Sequence, residues 1–75
     1  MDNMVSVDKV PEMLGKRVKK LREDKELSQE KLALEAGLNR AYIGYIERGE
    51  RNPSIKTMTK IANVLKIPLS EIFKF

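Results

Sequence analysis

Between Arg40 and Arg48, residues suited to recognising a polyanion recur at helical spacing. Ala41, Gly44, Tyr45 and Arg48 fall at i, i+3, i+4 and i+7, on one face of a helix, with Arg40 at its leading edge. A guanidinium at that edge could make a two-point contact to guanine O6 and N7, and an alanine could sit against a thymine methyl. Glycine inside a helix costs roughly 1 kcal/mol relative to alanine, so such a helix often makes a close approach, either to another helix or to a base-pair edge. Sharing the face with two arginines and a tyrosine favours the base pair. The chemistry implied is groove recognition, with no bond made or broken. Ile43, Ile46 and Glu47 point the other way. Facing phosphate, Glu47 would repel it. Turned inward it needs a cation, and Arg22, at the edge of an earlier apolar stripe, is placed to supply one as a structural pair.

Other elements must hold this face. Asn39 is a helix cap, Leu38 an apolar staple before it, and Gly37 the end of the preceding helix, Gln29 to Ala36, which Ser28 caps. Ala33 and Ala36 are small enough to let another helix cross closely. Pro11 opens a first helix over about Glu12 to Lys25, with Leu14, Val18 and Leu21 as its stripe and Lys16, Arg17, Lys19 and Lys20 as a solvated face. Gly49 stops the recognition helix, and Pro53 precedes Ser54, the cap of a fourth helix over Ile55 to Lys66 with Ile55, Met58, Ala62 and Leu65 inward. The N–H groups opening that helix, together with Arg51, make a phosphate site. Ser70 caps a short final turn over Glu71 to Phe73, and Leu69 and Ile72 complete the core. Phe73 and Phe75, with Val64 and Ile67, suit a subunit interface. The expected organisation is a flexible lead-in over residues 1–10 and one domain over 11–75. Within that domain, 28–48 is a two-helix motif and 67–75 a dimerisation region.

Bulk composition agrees. Seventy-five residues allow one small domain, and fifteen Lys and Arg against eleven Asp and Glu give a net charge of +4, a lean toward polyanions. There is neither Cys nor His, which excludes disulfides and the usual zinc sites, so no metal or cofactor and a cytoplasmic setting are expected. No apolar run is long enough to cross a bilayer, and the first ten residues lack the basic start and apolar core of a signal peptide. Without a phosphate-cradling Gly loop or paired carboxylates in a pocket, an enzyme is not indicated. Four aromatic residues provide no stacking platform for RNA.

These residues carry a family resemblance. LGKRVKKLRE, SQEKLALEAGLNRAYIGYIERGERNPS and LKIPLSEIF, in register from Leu14 to Phe73, resemble the lambda-repressor/Cro-like helix-turn-helix domains of the XRE family. The resemblance implies an all-α, five-helix domain whose third helix enters the major groove of double-stranded DNA, usually as a homodimer on a pseudo-palindromic operator. By position it implies base reading by Asn39, Arg40, Ala41 and Tyr45, and phosphate contacts by Gln29, Arg48, Arg51 and Ser54. Arg22 and Glu47 match the family's buried pair. Gly44 stands where many relatives carry a polar residue, so no base contact is expected from it. The run RxYI, IERG and RN within Asn39 to Asn52 looks especially like controller proteins of restriction–modification systems. Prophage-type repressors, and small antitoxins or adaptors whose main partner is a protein, are the alternatives.

Overall fold

In the computed structural model, which describes residues 6–75, a 3-10 turn (Val7–Lys9) runs into five helices: α1 (Val10–Asp24), α2 (Gln29–Ala36), α3 (Arg40–Glu47), α4 (Ile55–Leu65) and α5 (Leu69–Ile72). No described residue lies in a strand, so the domain is all-α as expected. No helix among the described residues is long and apolar enough to cross a membrane. The first part of the expected lead-in, residues 1–5, lies outside the described residues. The remainder reaches α1 without a break, and α1 starts at Val10, two residues before the expected Glu12. Pro11 is thus the second helical residue, where its missing N–H is one of those a helix start leaves unpaired anyway.

Three caps fall where the sequence places them. The side chains of Ser28, Asn39 and Ser54 accept from the backbone N–H groups of Lys31, Ala41 and Thr57. Ser70 is different: α5 begins at Leu69 with Pro68 in the capping position, so Ser70 lies inside the turn it was expected to open. Arg48 and Lys66, expected as last helical residues, are instead the closing residues after α3 and α4.

Four chain reversals share one geometry. After α1, α2, α3 and α4 a residue with positive φ (Glu26, Gly37, Gly49, Lys66) lets the next N–H reach back to a carbonyl five residues earlier, as in Leu38 N to Ala33 O at 2.8 Å and Glu50 N to Tyr45 O at 2.8 Å. Glycine takes that conformation freely at two of the four. At Lys66, with φ of 58°, a side chain bears it at a cost of about 1–2 kcal/mol. Lys66→Gly is therefore expected to stabilise the domain by up to about 1 kcal/mol once glycine's larger entropy loss is deducted, read as a higher urea midpoint with an unchanged m-value.

The core lies where α1, α2, α3 and α4 face one another, closed at one end by Ile72 of α5, which is fully buried. Leu14 and Val18 come from α1, Leu32 and Ala33 from α2, and Ile43 and Ile46 from α3. The stripe of α4 needs one correction. Met58, Ala62 and Leu65 are buried with Ile61, which the sequence reading passed over, whereas Ile55 is 62% exposed. Ile55 is the first residue of α4, and there the stripe overhangs the edge of the core. A second correction concerns Arg17, expected on a solvated face. Its Nε donates to Glu71 O at 2.9 Å and its terminal nitrogen to the Glu71 carboxylate at 3.2 Å, which ties α1 to α5. Lys16 and Lys20 do face solvent, near Glu12 and Asp24.

Candidate nucleic-acid interface

Helix α3 has two faces with separate tasks. On the inner face Ile43 and Ile46 are wholly buried, and the Glu47 side chain is 2% exposed. Its carboxylate accepts three hydrogen bonds: from Arg22 Nε at 2.7 Å, from a terminal nitrogen of Arg22 at 3.0 Å, and from Gln29 Nε2 at 3.0 Å. The other terminal nitrogen of Arg22 donates to Leu27 O at 2.6 Å. The hydrogen bond to Glu47 raises the Arg22 pKa above the usual arginine value, with burial working against it. One carboxylate thus joins α1, α2 and α3, and the acid that would repel a phosphate is turned away from the surface.

The outer face gathers most of the residues named for DNA. Gln29, Arg40, Ala41, Gly44, Tyr45 and Arg48 border one open depression, and Asn39, Ala41, Tyr45 and Arg51 share in the adjoining one. Arg40 and Ala41 are exposed at the entry of the helix. The guanidinium groups of Arg48 and Arg51 lie over the Tyr45 ring, 5.2 and 4.9 Å from its centroid, so one aromatic ring holds two cations. Arg48 also donates through Nε and a terminal nitrogen to the Glu50 carboxylate, at 3.1 and 3.3 Å, and that bond raises its pKa.

Several residues have work beyond the role expected of them. Asn39 Oδ1 accepts from Ala41 N at 2.7 Å, which leaves its amide N–H groups for a ligand. Gln29 spends one amide N–H on Glu47, which leaves its second N–H and its carbonyl oxygen. Ser54 Oγ is bound to Thr57 and borders neither depression. Gly44 was expected to give clearance to a base pair. The nearest atom to a Cβ built there is an Arg48 terminal nitrogen at 3.1 Å, so its small size makes room for that guanidinium.

The residues named for a subunit interface divide between two places. Val64 borders a depression between α2 and α4 with Glu35 and Lys60, and Phe75 borders a mainly apolar one along α1 with Met13 and Lys20. Phe73 and Phe75 are 39% and 47% exposed, and Val64 and Ile67 pack in part against the core.

Two further residues escaped the sequence reading. Gly15 lies where α1 crosses the end of α3: a Cβ there would stand 2.8 Å from Glu47 O and closer still to Ile46 O. The signal was present, since the cost argument applied to Gly44 holds equally for a glycine between Leu14 and Val18. The other is Glu50, an acid two residues after Arg48 in a stretch otherwise cationic.

An outer face of arginines on a helix-turn-helix frame, with its acid clamped inside, defines a class, and comparison with known proteins agrees. The Helix-turn-helix family model matches residues 18–72, so the chain belongs to that family, one of DNA-binding transcription regulators and not of enzymes. It is similar to control protein C.MunI of Mycoplasma sp, 47% identical over 60 residues covering 79% of this chain and 81% of that protein. It is also similar to control protein C.BamHI of Bacillus amyloliquefaciens, 41% identical over 84% of this chain and 79% of that one. The immunity repressor of Bacillus phage phi105 is 41% identical over 79% of this chain, which spans only 41% of that longer protein. Among solved structures, the restriction-modification controller protein C.AhdI from Aeromonas hydrophila superposes with a TM-score of 0.83 at 44% identity, covering 84% of this chain and 96% of that one.

Proposed function

We propose that this regulator reads a specific duplex sequence as a homodimer on a pseudo-palindromic operator, as the autoregulatory controller of a restriction–modification operon in the cytoplasm. The observation that carries the reading is the division of α3: Glu47 is clamped inward while Arg40 and Ala41 stand exposed at the helix entry and Arg48 and Arg51 flank them over Tyr45. In this reading Arg40, Ala41, Tyr45 and the Asn39 amide meet base edges. Arg48, Arg51, the second amide N–H of Gln29 and the start of α4 near Ser54 border the phosphate strands and set the register. Likeness over most of their length to C.MunI, C.BamHI and C.AhdI favours the controller assignment over a prophage repressor. Exposed Phe73 and Phe75 supply apolar surface for pairing, along with Val64 and Ile67.

Selection of bound sites from a random duplex library tests the whole reading, because it reports specificity, half-site spacing and symmetry together. Two inverted half-sites about one helical turn apart are expected. Equal affinity for selected and random duplexes at physiological salt would reject it. Arg40→Ala is expected to weaken binding by about 1–3 kcal/mol at one base pair per half-site and to relax preference there, measured by titration against operator variants. A protein-directed antitoxin or adaptor would instead show no duplex binding and would co-purify with another chain.

A further inference from the structure

Arg48 offers its Nε and one terminal nitrogen together on one edge of the guanidinium, and both face Glu50. That edge is the one an arginine uses for a two-point contact to a phosphate. The other terminal nitrogen lies over Gly44. The position of Glu50 is set by the backbone: Gly49, at φ of 75°, turns the chain so that Glu50 N bonds back to Tyr45 O at 2.8 Å, which returns its carboxylate to the end of α3. The pair is exposed, with side chains 55% and 53% accessible, so it contributes little to folding. Its consequence falls on whatever approaches this face.

We propose that Glu50 is a built-in competitor of the DNA backbone for Arg48, one that lowers the phosphate-driven, sequence-independent part of the affinity. This rests on the reading that the outer face of α3 meets DNA. A phosphate gains Arg48 only by displacing a carboxylate already in the same geometry, so the gain is a difference between two similar contacts. On random sequence that exchange adds little. On the cognate sequence the same exchange is made, so the base contacts of Arg40 and Ala41 carry a larger share of the affinity there. Among the described residues Arg51 has no such partner, and it keeps its place over Tyr45. One arginine is thus conditional and its neighbour is not.

The experiment compares wild type, E50Q, R48A, the R48A/E50Q double variant and E35Q, which removes the same negative charge on the α2–α4 side. Each is titrated by fluorescence anisotropy against the duplex recovered by selection and a scrambled duplex of equal length, over a salt series. E50Q is expected to tighten binding to the scrambled duplex about three- to fivefold. It should also steepen the slope of log affinity against log salt by about one. The selected duplex should tighten by a similar factor, and neither change should appear in the R48A background or in E35Q. An equal effect of E50Q with and without Arg48, or no effect at all, would overturn the role of Glu50. R48A binding both duplexes as tightly as wild type would instead overturn the placement of Arg48 against phosphate.

Discussion

Glu47→Ala is expected to bring the domain close to unfolding at room temperature. The substitution leaves Arg22, whose side chain is 9% exposed, with the Leu27 carbonyl as its acceptor and only the exposed Glu23 carboxylate, 3.9 Å away, as a counter-charge, and strands the Gln29 amide as well. Breaking one partner of a buried pair costs about 3–5 kcal/mol, against a total stability of about 4–11 kcal/mol for a chain of this length. Thermal unfolding followed by circular dichroism should show Tm falling by at least about 12 °C, since each kcal/mol moves a domain of this size by roughly 4–8 °C. The loss belongs to the stranded charge, so removing both ends should recover much of it: Arg22→Met with Glu47→Leu is expected to be markedly more stable than Glu47→Ala alone. A Tm within a few degrees of wild type for the single variant would show that the pair does not hold the helices.

The second large effect comes from adding one methyl group. Gly15→Ala would place a Cβ against two successive carbonyls at the end of α3, Ile46 O and Glu47 O, the latter at 2.8 Å. Both are backbone atoms of a helix fixed by Ile43, Ile46 and Glu47, so there is no flexible end to move aside. Overpacking of this type costs about 1–3 kcal/mol, and the upper end is expected here, with Tm lower by roughly 12–24 °C. Gly44→Ala gives the opposite sign from the same change. Its nearest neighbour is the tip of the Arg48 side chain, which can swing away, so the intrinsic preference of helices for alanine is expected to stabilise the variant by up to about 1 kcal/mol. Measuring both in one denaturation series separates a glycine needed for helix crossing from one that accommodates a side chain. Equal shifts for the two would contradict the crossing geometry.

What made the frame readable was local chemistry. Ser28, Asn39 and Ser54 are strong caps, and Gly37 and Gly49 follow the residues where periodicity stops, so helix order came out of near-neighbour preferences. The Arg22–Glu47 pair was legible because an acid on the inward face of a cationic helix calls for a partner. Relations with no local cause were not legible. Whether Arg17 meets solvent or Glu71 depends on where α5 lands, 54 residues away in the chain. Ile55 has the right spacing for the core, and only the extent of the neighbouring helices decides that it lies beyond the edge. Gly44 showed a need for space without showing what fills it, and Arg48 and Glu50 met only once the turn at Gly49 had a direction.

The length of α3 sets a limit on how much information one copy can take from DNA. Eight residues make a rod about 12 Å long, and only its leading end and one side face outward, enough to cover about three or four base pairs. A four-letter word recurs by chance about once in 256 positions, whereas a genome offers about a million competing sites or more. Two copies reading an inverted pair of such words lengthen the chance interval to about 65,000 positions, and a bend or a spacing requirement extends it further. In the proposed homodimer the address is therefore the pair of words together with their fixed spacing and symmetry, and neither word suffices alone.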